Sequence, residues 1–402
     1  MRKFSSVLIS LFIFSFLFTP YLFSQDLPVD KNVTIGTLGN GMKYYIRKNA
    51  KPEKRAELRL VVNAGSVLEN DDQKGLAHFV EHMGFNGTKH FSKSELVDYL
   101  ELIGVKMGAE LNASTNFDQT IFQLQVPTDK SEILSKAFLV LEDWAHGYLF
   151  DSTEIEKERG VIVEEWRLGR GADMRMLDKQ LPILFKNSKY ADRITIGDKH
   201  IIETFKQSTL KDFYKDWYRP DLMAVVAVGD FDKAQIESLI KEHFGSITPP
   251  AVERKRELYP VPKHDETLFA IASDKEATNS SVSIYIKLDK QTTKTEEDFR
   301  RNLGQSLLQN MLNQRLSELT LQSDPPFTFA FGGRSGFVRT ADCNVLIAQV
   351  KDNGIEKGLS AILSEAERAR LFGFTSTELE RTKSNFMRGM EKALAEKDKT
   401  ES

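Results

Sequence analysis

Residues Gly75–Thr88 read GLAHFVEHMGFNGT and carry two of the chain's seven histidines, four positions apart, with Glu81 between them. On an α-helix, positions i and i+4 differ by about 40° in azimuth, so His78 and His82 can converge on one point. Glu81 lies about 60° to the other side of His78, where it can reach a water on a metal without being a ligand. Two neutral imidazoles leave a divalent zinc short of protein ligands, because catalytic zinc sites hold three and keep a place for water. The alternative is a solvated helix face that carries two histidines, and the motif alone does not exclude it.

The missing ligand is expected to be a carboxylate on another element. Residues 154–166 read EIEKERGVIVEEW. Glu158 and Glu165 are seven apart, so they share one helix face two turns apart. One can bind the metal while the other holds a histidine from behind. Glu164 competes with Glu165, but its spacing from Glu158 turns it off that face. The other histidines, His90, His146, His200, His243 and His264, have no partner at ligand spacing and read as surface or satisfied residues.

Outward from the motif, apolar residues alternate at Leu58, Leu60 and Val62 and again at Phe122, Leu124 and Val126, which predicts half-buried strands. Leu38–Ile46, with Asn40-Gly41 inside it, predicts a hairpin. A helix is expected over Ser131–Gly147, and another from Thr153, where Thr153 and Glu156 fit a capping box. Met223–Val228 reads as a buried strand. Pro249-Pro250 and Pro260-Val261-Pro262 bracket a charged linker.

Beyond the linker the pattern repeats. Strands are expected over Ser281–Ile286 and Val345–Val350, with a helix over Asn302–Leu319. FDSTEIE at 150–156 is echoed by FTSTELE at 374–380, an offset of 224 positions that sets Gly389 where the first copy has Glu165. This is one long duplication, not a solenoid. No histidine follows His264, so the second copy has lost the ligands. The expected layout is a first domain over 28–248, a linker over 249–262 and a second domain over 263–402. Hairpin-paired strands with helices beside them predict an α+β fold of two-layer sheet-and-helix domains.

The chain has 402 residues, 41% hydrophobic and 28% charged, with a formal net charge of -3. That suits two packed domains and argues against a nucleic-acid binder, which would be basic. Arg2 and Lys3, the apolar run Val7–Phe18, Pro20 and Ser24 predict an export signal over residues 1–24, with an uncleaved anchor as the rival. The one cysteine, Cys343, allows no internal disulfide. The setting expected is a bacterial periplasm or the cell exterior.

At these residues the chain resembles the pitrilysin-type (M16) family of inverted-motif zinc proteases, which includes insulin-degrading enzyme and mitochondrial processing peptidase. The resemblance rests on His78-Phe79-Val80-Glu81-His82 with the following Met83–Thr88, on Glu158–Glu165, and on Asp216–Pro220 (DWYRP) and Val226–Phe231 (VAVGDF). Within the family it looks most like exported bacterial zinc proteases of the PqqL type. The resemblance implies two tandem homologous two-layer α/β domains of the LuxS/MPP-like metallohydrolase type. It implies one Zn2+ per chain held by His78, His82 and Glu165, with Glu158 behind a histidine and Glu81 as the catalytic residue of a zinc endopeptidase. It also implies a substrate-binding edge strand at Gly108–Thr115, where Asn112 and Ala113 would hold an extended peptide; a plain turn is the competing reading. Phe85 is either core packing or a pocket wall. The family's chambers have two such halves, so a further half or subunit is an expected partner, and the second copy reads as incomplete. The rival functions are a peptide-binding scaffold that needs a catalytic partner and a zinc hydrolase of non-peptide substrates.

Overall fold

The computed structural model of the chain describes residues 25–400 except Met107 and Asp398. The expected export signal, residues 1–24, lies outside the described residues. Among the described residues no helix is long and apolar enough to cross a membrane.

Period-two burial builds the first sheet. In β3 (Arg55–Val62), β5 (Thr120–Pro127) and β6 (Met223–Gly229) the residues that alternate are buried on one face. Leu58 sits opposite Leu124 and Ala227, and Leu60 opposite Phe122 and Val225. Burying each such large side chain contributes about 1.5–3 kcal/mol. With β1 (Val33–Thr37), β2 (Lys43–Lys48) and β4 (Leu111–Thr115), they form a six-stranded sheet of order β1-β2-β6-β3-β5-β4. Only the β2–β6 pair is parallel.

The helices of the first domain are α1 (Leu76–Met83), α2 (Lys93–Leu102), α3 (Ser131–His146), α4 (Ser152–Leu168), α5 (Ala172–Leu184), α6 (Lys199–Thr204), α7 (Gln207–Trp217) and α8 (Lys233–Phe244). Helices α3 and α8 cover the buried face of the sheet, and α1 lies against β4 and β5 and touches α4 and α7. Two short 3-10 turns, Ser66–Leu68 and Asp71–Gln73, separate β3 from α1. The motif helix therefore does not follow the strand directly. The expected capping box at Thr153 and Glu156 is also corrected. Asp151 is the cap of α4, and its carboxylate accepts the Thr153 and Glu154 N–H groups at 2.8 and 3.1 Å.

The second domain holds β7 (Ser280–Asp289), β8 (Phe329–Val338) and β9 (Ala341–Val350) in an antiparallel sheet of order β7-β9-β8. Helices α9 (Glu296–Leu319), α10 (Ile355–Phe372) and α11 (Ser376–Glu396) pack beside it. The duplication is visible in the elements: α3 and α10 start at 131 and 355, and α4 and α11 at 152 and 376. Helix α9 starts six residues before the expected Asn302, because Thr295 caps it in a capping box with Asp298. Its first turns are polar and carry no apolar period to read.

Candidate metal centre

The motif helix starts on Gly75, whose φ of +104° belongs to the left-handed region and whose missing Cβ would stand 3.2 Å from Gly197 Cα. The buried Glu69 carboxylate closes the helix start, accepting the Gly75 and Ala77 N–H groups at 3.1 and 2.8 Å. Leu76, Ala77, Phe79, Val80 and Met83 turn into the core. That leaves the opposite face, with His78 and His82, towards α4.

Three donor residues meet there. His78 Nε2 and His82 Nε2 are 3.2 Å apart. Glu165 brings Oε2 to 3.4 Å from His82 Nε2 and Oε1 to 3.7 Å from His78 Nε2. Ligands about 2.0–2.1 Å from a tetrahedral zinc stand about 3.3–3.4 Å apart, so these spacings fit the ion. Among the described residues, this is the one group of three or more His, Cys, Asp or Glu gathered closely enough to hold a metal. Glu164 turns away into an exposed ion pair with Arg167 at 2.6 Å.

The surroundings prepare both imidazoles. His82 Nδ1 donates to Glu158 Oε1 at 2.8 Å, which leaves Nε2 to face the other donors. Glu158 Oε2 in turn accepts from Asn86 Nδ2 at 2.8 Å. Burial opposes a charge on His82, but its hydrogen bonds to Glu158 and Glu165 outweigh it and lift the pKa to about 9. A metal at Nε2 would displace that proton. Burial, and then the neighbouring His82, push His78 down to about 4, so its ring is neutral as a ligand's must be.

Glu81 stands beside this group and is not part of it. The residue is 7% exposed. Burial raises its pKa, and the Thr115 hydroxyl, donating to Oε2 at 2.6 Å, pulls against that rise. Thr115 Oγ1 lies 3.2 Å from Thr120 Oγ1, which donates to the Ala64 carbonyl at 3.0 Å. Thr115 and Asn86 both lie in quoted stretches, yet nothing in their spacing marks these contacts.

Asn112 and Ala113 lie in β4 and not in a turn. β4 is the edge strand nearest the donors, and its outer side has no strand neighbour among the described residues. Asn112 and Ser114 face Gln123 and Ile121 at hydrogen-bonding positions, so Ala113 and Thr115 turn their backbone groups to the open side. Asn112 Oδ1 accepts the Ala113 N–H at 2.9 Å. Phe85 packs against Trp144 and Phe122, with ring centroids at 5.7 and 6.4 Å. The other histidines stay outside: His90 is held by Asp143 and His243 by Glu142, each at 2.7 Å.

Comparison with known proteins follows the two halves of the chain. Residues 44–186 match the family model described as Insulinase (Peptidase family M16), and residues 204–386 the one described as Peptidase M16 inactive domain. A zinc protease PQQL-like protein of Arabidopsis thaliana is 38% identical over 372 residues, covering 91% of this chain and 36% of that protein. The probable zinc protease PqqL of Escherichia coli (strain K12) is 31% identical over 383 residues, covering 94% of this chain and 41% of that protein. The crystal structure of the first half of the periplasmic protease PqqL from Escherichia coli matches with a TM-score of 0.86 at 28% identity, over 94% of this chain and 80% of that one. The chain thus spans less than half the length of these two curated relatives.

Proposed function

The chain belongs to the M16 insulinase family of peptidases, with a second domain of the family's inactive type, and from that premise we propose that its first domain is a zinc-dependent endopeptidase centre for extended or unfolded peptides. The observation that carries the reading is the meeting of His78, His82 and Glu165 donors with a buried carboxylate, Glu81, alongside.

His78, His82 and Glu165 would hold one zinc. When bound, zinc supplies a Lewis acid that polarises a carbonyl and lowers the pKa of water. Glu81 takes the proton of the attacking water and passes it to the leaving amine. Thr115 occupies Oε2, so Oε1 is the atom left for that proton.

The hydroxyl chain behind Glu81 suits both its states. With Glu81 ionised, two hydroxyl hydrogens serve three gaps: Thr115 donates to Glu81, Thr120 to Ala64, and the 3.2 Å gap between the threonines has none. With Glu81 protonated on Oε1, Oε2 still accepts the Thr115 hydrogen, and Thr120 still donates to Ala64.

The open side of β4 would take the peptide as an added strand, its carbonyl replacing Asn112 Oδ1 at the Ala113 N–H. That mode requires an extended segment and tolerates many side chains. Phe85 would support the pocket from within its aromatic packing. We further propose domains over 28–248 and 263–402 joined by 249–262, export to a periplasm as printed for the PqqL relative, and a further half that closes a chamber. The second reading is a peptide-binding half that is catalytically incomplete alone and needs a partner half or subunit.

Metal analysis beside a peptide-cleavage assay on the purified chain separates these readings. The expected result is one zinc per chain. Glu81→Gln should keep the zinc and lower kcat by about 10²–10⁴. Glu165→Gln should lose zinc affinity, and Glu164→Gln should change little. If Glu164→Gln strips the metal and Glu165→Gln does not, the ligand assignment is wrong. Full zinc with no cleavage by the unaltered chain would favour the incomplete half.

A further inference from the structure

The turn between β4 and β5, Asn116–Gln119, is gripped from outside its own domain. Asp118 Oδ2 accepts the backbone N–H of Arg339 at 3.2 Å, and Oδ1 accepts the Tyr190 hydroxyl at 2.8 Å. Oδ1 also lies 3.4 Å from Arg339 Nε and 3.7 Å from Arg256 Nη2. The Asp118 carbonyl accepts from Nη2 of both arginines, at 3.1 and 3.3 Å. Both guanidinium groups reach Asn63 as well, Arg256 at its carbonyl and Arg339 at its side chain.

Arg339 lies at the tip of the β8–β9 hairpin, and Arg256 in the segment that joins the two domains. The same tip sends Phe337 against Phe185 at 4.5 Å, and Phe185 meets Phe117 of the turn at 6.1 Å. The turn is thus fastened by two cations and an aromatic contact, three residues from the hydroxyl that holds Glu81. Asp118 is what lets two guanidinium groups share one place: burial first, and then Arg339 beside it, lower the pKa of Arg256, and the Asp118 charge opposes that.

We propose that Arg339, together with Arg256, is a positioning residue for the first-domain centre. Through Asp118, the second domain locks the β4–β5 turn and so sets where the open edge of β4, and Thr115 against Glu81, stand. This rests on the function proposed above, and it assigns the ligand-free domain a part in the site. A second bridge between the domains supplies the control. Arg175 of α5 pairs with Asp274 and Glu276, each at 2.6 Å, and touches nothing in β4.

The test is hydrogen exchange on the zinc-loaded full chain with Arg339→Gln, Arg339→Lys and Arg175→Gln. Arg339→Gln should speed exchange over Asn112–Gln119 about tenfold, the size of one lost charge-assisted hydrogen bond, and leave α1 and the zinc content unchanged. Arg339→Lys, which keeps the charge but not the fork, should fall between, and Arg175→Gln should leave this stretch as it is. In the peptidase assay, Arg339→Gln should raise KM by a similar factor, with kcat changed less. If Arg339→Gln does not fold, Arg256→Gln carries the same expectation. Unchanged exchange over Asn112–Gln119, or an equal rise in Arg175→Gln, overturns the proposal. Absence of cleavage by the unaltered chain counts against the proposed function alone, since the exchange result decides this proposal without it.

Discussion

Thr115 has one hydroxyl hydrogen and gives it to Glu81, 34 positions away in the chain. Thr115→Val keeps the shape and removes the donor, so it should lower kcat about tenfold at unchanged zinc content, while Thr115→Ser should recover most of it. An unaffected kcat in the valine variant would remove the hydroxyl from the mechanism. Glu69 offers a pH test away from the donors. Burial raises its carboxyl to about 8, against the pull of the Ala77 and Gly75 N–H groups, and Oε2 has no partner among the described residues. A pKa raised on folding means that the folded chain holds a proton the unfolded chain has released. The stability it contributes is complete below the unfolded carboxylate value and is lost as pH rises to about 8, on the order of 1 kcal/mol per pH unit in that window. Glu69→Gln cannot ionise. Its melting temperature should therefore fall less than the unaltered chain's between pH 5 and 8, and parallel curves would refute the assignment.

At the scale of elements, helix α4 carries both Glu158 and Glu165, so its start matters to the centre. The cap is Asp151, and its loss to alanine should cost about 1 kcal/mol in denaturant unfolding. Thr153→Ala, at the position the sequence pattern favoured, should cost a few tenths of that. The reverse order would restore the sequence reading. The pattern misled because Thr153 and Glu156 have capping-box spacing, but Glu156 is drawn off by Arg159 at 3.1 Å. In the second copy, Thr375 and Glu378 do form such a box, at the position matching Asp151 and Glu154. Strands β3, β5 and β6 were legible because one face is buried and the alternation is regular. β8, which holds Gly332, Gly333 and Gly336, shows no such alternation and went unread.

At the scale of the molecule, the two copies are unequally packed. The first core runs through the whole six-stranded sheet and its helices. The second gathers around Leu312, Leu316, Phe327, Ala348, Val350 and Ile362, and α11 buries no residue. Exchange protection tracks such burial. Amides of α11 and β7 should therefore exchange well ahead of those in β3 and β5, and equal protection in both domains would contradict this. Among the described residues, the tip at Arg339 is where the second domain grips the β4–β5 turn, which is why a local substitution there should act at a distance.

Local spacing is what the sequence determined by itself. Four residues on a helix bring His78 and His82 to one point, and seven keep Glu158 and Glu165 on one face, because the α-helix has a constant period. The period of two assigned the buried face of β3, β5 and β6 in the same way, and the echo at 150–156 and 374–380 disclosed the duplication. Only the tertiary structure decided which helix faces the histidines with which carboxylate, that Thr115 stands behind Glu81, and that Arg339 meets Asp118 across 221 positions. These contacts follow from strand order. β6, the last strand of the first sheet in chain order, is inserted between β2 and β3, and β4 is left at the edge beside α1. No local period encodes that order, since it is selected by how the buried faces of distant segments fill one core.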